Sequence, residues 1–207
     1  MDLIHNIHIQ NITKILKGVG ERIEGNLICD IRPDNWIIHN SKDKIYNLQQ
    51  LVKDKKKVIE IGVNGCHSLV IMLLINPHAE YLLFDLGNHR YTRPAVDYIK
   101  DAFPNTKIDI IYGNSVNTMN EYILQNSKSI NTYELIHLDG GHTPDIFIHD
   151  YNNSKKLLAP DGVVIFDDYN YSEIKNFIDH KVATNEIVKY SDGILLDTPL
   201  HFIYKYN

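Results

Sequence analysis

Cysteine is nearly absent. Cys29 and Cys66 are the two in the chain, too few and too isolated for a disulfide framework or a cysteine-based zinc site, which points to a reducing compartment. A basic excess is absent too. The net charge of −5 argues against a surface that coats nucleic acid, which needs clustered Lys and Arg. The basic run from Lys53 to Lys57 precedes an apolar segment and reads as a solvated loop or helix end. No apolar run approaches the roughly 18 residues that span a bilayer. The first residues, MDLIHNIHIQNITKILKGVGER, lack the basic and then apolar order of a signal peptide. The expectation is a soluble, cytoplasmic protein that contacts neither membrane nor nucleic acid, with self-association left open.

Enough apolar material is present for a core: 43% hydrophobic and 10% aromatic residues in a chain of 207 suit one domain. Leu3, Ile4, Ile7, Ile12, Ile15, Leu16 and Val19 recur at helical spacing. Lys44, Ile45, Leu48, Leu51 and Val52 suggest a second helix, with Ser41 as its N-cap. From residue 57 the runs KVIEIG, EYLLFDL, KIDIIYG, YELIHLDG and DGVVIFDD alternate with amphipathic stretches of helical length. That order predicts an α/β fold, a doubly wound, Rossmann-like and mostly parallel sheet covered on both faces. Near the end, NEIVKY and LHFIYKY are separated by SDGILLDTP, which leaves no room for a crossover helix. An antiparallel C-terminal strand pair is expected there.

Open sheets of this kind bind ligands outside the carboxyl ends of their strands. Asp85, Asn114, Asp139, Asp167 and Asp168 all fall at such ends. In VIEIGVNGCHSLVIML a strand runs through a glycine turn into a helix, and Gly62 and Gly65 allow tight backbone and close ligand approach. A nicotinamide dinucleotide would want G-x-G-x-x-G. Counted from Gly62, those later positions hold Asn64 and His67, so that fingerprint fails.

The stretch instead resembles the first motif of class I S-adenosylmethionine-dependent methyltransferases in the O-methyltransferase branch, E-x-G-x-x-x-G-x-S. Glu60, Gly62 and Ser68 match it; Cys66 stands where the pattern has a later glycine, with Gly65 one place earlier. Asp85, 25 residues beyond Glu60, matches the acidic residue that accepts both hydrogen bonds of a ribose diol. Asn114 and Ser115 fall where the family contacts adenine. The resemblance implies S-adenosyl-L-methionine as cofactor, bound by Glu60, Gly62, Asn64, Gly65, Ser68, Asp85, Asn114, Ser115 and Asp139. Plainer roles stand beside these: Glu60 tied to backbone amides, and Asn114 with Ser115 forming a turn in which Ser115 caps the next helix.

HLDGGH and VVIFDDYN resemble the metal-dependent O-methyltransferases, which span catechol-type, caffeoyl-CoA-type and antibiotic-sugar enzymes. The likeness covers about residues 57 to 170, and it implies one methyltransferase domain over 1–207 with 1–55 as an N-terminal helical cap. By that resemblance Asp139, Asp167 and Asp168 hold a divalent cation, Mg²⁺ or Mn²⁺, with Asn170 able to replace one aspartate. Such an ion lowers the pKa of a hydroxyl and fixes its orientation, whereas zinc would prefer nitrogen or sulfur ligands. His142, three residues after Asp139, occupies the place of the catalytic lysine of catechol-type enzymes. Imidazole accepts a proton near neutral pH, so His142 and Asp139 are the catalytic candidates. His142 could alternatively orient substrate, contact the cofactor or cap a helix, and Asp168 could cap the helix beginning near Tyr171. His137 and His149 read as structural.

The expected activity is O-methylation of a small hydroxylated acceptor: a sugar, a nucleotide-sugar or another diol first, a catechol-like phenol second. Trp36, Arg90 and Tyr91 are candidates to line the acceptor site. A nucleobase N-methyltransferase would carry Asp/Asn-Pro-Pro-aromatic where LDGGH stands, and an RNA ribose methyltransferase would want a basic face. A protein that binds S-adenosylmethionine without catalysis, as a regulatory or scaffold subunit, is the remaining alternative.

Overall fold

The computed structural model describes residue 3 and residues 5–24, 42–167, 171–196, 198 and 201–207. Cys29, Trp36, Ser41, Asp168 and Asn170 lie outside them. The elements in chain order are α1 (Ile7–Gly18), α2 (Lys42–Val52), β1 (Lys57–Ile61), α3 (His67–Ile75), β2 (Glu80–Asp85), α4 (Thr92–Ala102) and β3 (Ile108–Tyr112). There follow α5 (Ser115–Gln125), β4 (Tyr133–Leu138), α6 (Pro144–Leu157), β5 (Leu158–Phe166), α7 (Ser172–Ala183), β6 (Ile187–Lys189) and β7 (Phe202–Tyr206).

One seven-stranded sheet carries them in the order β3-β2-β1-β4-β5-β7-β6. The first five strands pair parallel. β7 lies antiparallel between β5 and β6, as the helix-free C-terminal spacing required. Strand alternation divides the core into two layers. Val58, Leu135, Ile165 and Ile203 face α1 to α4, while Ile59, Ile61, Ile136 and Phe166 face α5 to α7.

Two helices explain how this face of the sheet is covered. Asn6 caps α1, its side chain accepting from the amides of His8 and Ile9. Ile9, Ile12 and Leu16 are buried where α1 meets α3 and α4. At about 1.5–3 kcal/mol for each buried side chain, that stripe anchors a helix of 12 residues that would be marginal alone. Beneath it, α3 buries His67 and every residue from Leu69 to Leu73, the all-round burial of a helix sandwiched between the sheet and the helices α1 and α2. Among the described residues, no helix is long and apolar enough to cross a membrane.

Candidate functional site

The carboxyl ends of β1 to β5 meet at one edge, and the glycine turn after β1 is its tightest part. Gly62 has φ +87°, and a Cβ there would lie 1.9 Å from the carbonyl oxygen of Asp139. Only glycine fits. Asn64 and Cys66 also take left-handed φ values, 47° and 64°. Cys66 therefore adopts a conformation that favours glycine, which accounts for the glycine at this place in the pattern it resembles. Its thiol is fully buried, and burial, with Glu60 and Asp85 nearby, raises its pKa well above the ordinary range.

Asp85 closes the turn from β2. Its two carboxylate oxygens accept from the amides of Asn64 (2.9 Å) and Gly87 (2.7 Å). The Asn64 side chain is fixed in turn, its carbonyl accepting from the Tyr91 hydroxyl and its NH₂ donating to the Glu24 carbonyl. Tyr91 thus braces the turn and is buried, while Arg90 bonds Val19 and Glu21; neither lines the cleft expected of them. His67 opens α3, and burial lowers its pKa to about 4, so the ring is neutral where the helix dipole would also oppose a cation.

After β3, Asn114 rather than Ser115 caps the next helix, accepting from the Val116 amide at 3.0 Å. Ser115 lies close enough to the carboxyl of Asp150 on α6 to influence its titration. Burial raises the Asp150 pKa to about 6, and the nearby Ser115 hydroxyl opposes part of that rise.

Beyond this corner lies a row of polar side chains on the cap-facing side of the sheet. Glu60 on β1 and His137 on β4 occupy paired register positions, with His137 Nδ1 3.1 Å from Glu60 Oε1. Ser68 donates its hydroxyl to the same oxygen. On the far side of His137, its Nε2 lies 3.8 Å from Asp167 Oδ2, and His201 Nε2 lies 3.9 Å from that oxygen. The Lys44 ammonium, entering from α2, hydrogen-bonds Asp167 Oδ2. Burial alone would discharge these groups. It opposes protonation of His137, yet Asp167 and Glu60 outweigh it and raise that pKa to about 10. Burial likewise opposes ionisation of Asp167, and Lys44 with His137 overrides it, leaving the carboxyl well below its usual range. For His201 burial prevails and keeps the ring neutral.

Together these loops enclose a cleft of about 370 Å³. Gly62, Asn64, Gly65 and Ser68 line it from the glycine turn, Asp85 from β2, and Asn114 and Ser115 from β3. Asp139 and His142 line it from β4, and Lys44 from α2. Glu60, wholly buried, reaches it only through Ser68. His142 is exposed, with Nδ1 2.9 Å from the Tyr171 hydroxyl. Asp167, 3% exposed, does not line the cleft. His149 is exposed on α6.

Residues 59–169 match the methyltransferase-domain family, more than half of the chain. The chain belongs to that family. The methyltransferase domain also resembles solved structures over nearly its whole length. An O-methyltransferase from Bacillus cereus in complex with SAH shares 14% identity at a TM-score of 0.66, covering 97% of this chain and 90% of that one. A TDP-rhamnose 3'-O-methyltransferase of calicheamicin biosynthesis shares 13% at 0.63, covering 96% and 92%. The O-methyltransferase of tomaymycin synthesis from Streptomyces achromogenes, in complex with SAM, shares 11% at 0.64, covering 98% and 90%. These likenesses show the class I methyltransferase fold. No curated protein matches the chain.

Lys44, His201 and Asp150 joined the methyltransferase site without being singled out in the sequence. Lys44 did leave a signal: it shares the helical stripe of Leu48 and Leu51, a cation at a core position. His137 left another, a polar side chain in register with Glu60 inside an otherwise apolar pair of strands.

Proposed function

We propose that this chain is an S-adenosylmethionine-dependent O-methyltransferase acting on a hydroxyl of a small molecule. A sugar, nucleotide-sugar or other diol is the first-ranked acceptor, and a catechol-like phenol the second. The observation that carries the reading is the single cleft in which eight of the nine expected cofactor residues converge, Glu60 standing behind Ser68. The cradle fits the group: a Cβ at Gly62 would close it, and Asp85 presents a carboxylate already oriented by two backbone amides.

Bound there, S-adenosylmethionine supplies an electrophilic methyl on a positively charged sulfur. The chain's part is to hold and orient both reactants and to take a proton. Asp85 accepts from the ribose hydroxyls, and the Asn114 and Ser115 corner borders the base. His142, exposed and lining the same cleft as Asp139, takes the proton of the acceptor hydroxyl. Tyr171 steadies its ring through Nδ1.

The expected Mg²⁺ or Mn²⁺ meets a donor set already in use. Asp139 borders the cleft, but Asp167 is buried out of it and engaged by Lys44; Asp168 lies outside the described residues. A dication about 4 Å from that ammonium would be repelled by on the order of 8 kcal/mol at an effective dielectric of about 20. The described residues do not fit a hard octahedral ion, and no step is assigned to one.

Calorimetry with S-adenosylhomocysteine is the first test. Micromolar binding, followed by labelled-methyl transfer to a sugar, nucleotide-sugar or catechol, supports the reading. Absence of binding at saturating ligand removes it. Binding without transfer to any hydroxylated acceptor leaves the non-catalytic alternative.

A further inference from the structure

We propose that the Lys44 ammonium supplies the fixed positive charge at the acceptor end of the cleft, standing where a metal ion would stand, so that methyl transfer runs without a divalent cation. The inference rests on the O-methyl-transfer reading above. It begins from three donors. His137, Asp167 and His201 bring two imidazole nitrogens and a carboxylate oxygen within 4.8 Å of one another, all buried. A pair of imidazoles and a carboxylate is a donor set suited to a divalent metal. The Glu60 carboxylate behind His137 is the kind of partner that orients a ligating imidazole. The two imidazole nitrogens lie 3.8 and 3.9 Å from Asp167 Oδ2, and that is the oxygen the Lys44 ammonium holds.

Lys44 is placed there by packing rather than by chance extension. It sits on the buried stripe of α2 with Leu48, Leu51 and Val52, and is itself only 9% exposed. It also lines the cleft that Asp139 and His142 line, whereas Asp167 does not. The residue nearest the cleft in this pair is therefore the lysine, not the carboxylate. Lys44 thus joins the buried Asp167 carboxylate to the wall of the cleft.

The chemistry balances with no further reactant. The acceptor oxygen forms a bond to the methyl carbon as the sulfur–methyl bond breaks, and the sulfur keeps that electron pair. The hydroxyl proton passes to His142. Lys44 stays protonated throughout and stabilises the negative charge that develops on the oxygen. A lysine held beside a carboxylate keeps that charge in place, whereas a protein-bound Mg²⁺ can be lost to a chelator.

The test uses the full chain, dialysed against EDTA. Calorimetric titration with S-adenosylhomocysteine should show binding, and titration of that complex with Mg²⁺ or Mn²⁺ to millimolar concentration should show none. Turnover of an accepted hydroxyl should be unchanged in EDTA. One equivalent of bound Mg²⁺, with about tenfold or greater loss of turnover in EDTA, overturns the proposal. Absence of S-adenosylhomocysteine binding overturns the underlying reading instead, so the two failures are distinguishable.

Variants supply the second arm. Lys44→Met should lower kcat in EDTA by about tenfold or more with little change in KM, and Lys44→Arg should recover part of that loss. Co²⁺ should give visible absorption bands with Lys44→Met, whose donors are uncovered, and none with the wild type. Wild-type turnover by Lys44→Met in EDTA, or equal Co²⁺ spectra for both proteins, refutes the proposal. If Lys44→Met fails to fold, the rate comparison moves to Lys44→Met with Asp167→Asn, which leaves no lone buried charge.

Discussion

Glu60 and His137 face each other across register-paired positions of adjacent parallel strands, Oε1 to Nδ1 at 3.1 Å, and neither side chain is exposed. The pair joins the cofactor turn to the acceptor end, since Glu60 also accepts from Ser68 and His137 continues to Asp167. Removing the imidazole leaves Glu60 short of a hydrogen-bond partner and Asp167 short of a nearby cation. His137→Leu should destabilise the fold by about 3–5 kcal/mol, the usual consequence of stranding a buried charge, as measured by urea denaturation.

The same imidazole sets an alkaline limit. Its folded pKa of about 10 lies above its ordinary 6.5. The stabilisation it provides is fully present below pH 6.5 and is lost as pH rises through about 10. Urea midpoints should fall between pH 7.5 and pH 10 in the wild type, and His137→Gln should flatten that fall.

Asp150 sets a second pH dependence nearer neutrality. Its carboxyl is raised from 3.8 to about 6 in the folded chain, so the native state binds the proton more tightly than the unfolded one. Stability contributed by the protonated form is complete below pH 3.8 and is lost as pH rises through about 6. Asp150→Asn should be more stable than wild type at pH 7.5, by on the order of 2 kcal/mol, and nearly equal to it at pH 4. Thermal melts at the two pH values decide it.

Gly62→Ala tests the cofactor cradle. The added methyl would meet the Asp139 carbonyl, so the turn and the end of β4 must separate. Affinity for S-adenosylhomocysteine should fall by about 100-fold or more, on the order of 3 kcal/mol, and calorimetry reads it directly. Affinity within a factor of about three of wild type would count against the placement of the nucleoside in this turn.

His142→Gln isolates the proton transfer. Turnover should fall by about 10²–10⁴-fold, the range typical of a lost general base, and its pH dependence should change with it. S-adenosylhomocysteine affinity should be unaffected. Unchanged rates from pH 6 to 8 would transfer the role to another group.

What the sequence made legible was local. Strand runs, the glycine turn and the positions of Asp85 and Asp139 at strand ends depend on neighbours within a few residues, and the structure has the strands, the turn and these two carboxylates at those places. The C-terminal pair was readable because a nine-residue spacer cannot hold a crossover helix. Cys66 left its glycine position uncertain because residue type alone does not report a left-handed φ. Asn114 displaced Ser115 as the cap because either residue can serve and the helix start decides between them. The Lys44–Asp167 pair lay furthest out of reach: its partners are 123 positions apart, and only docking of α2 against the sheet brings them together. Helical periodicity placed Lys44 on the inner face without naming what it would meet there.

The position of β7 between β5 and β6 bears on how the chain is made. During synthesis, β6 leaves the ribosome before the only strand it pairs with among the described residues. Until β7 emerges, β5 presents an open sheet edge, and His201, just ahead of β7, has not yet reached Asp167. Closure of the sheet and completion of the polar row therefore wait together on β7, and a nascent chain stalled before residue 201 would leave the β5 edge unpaired on that side.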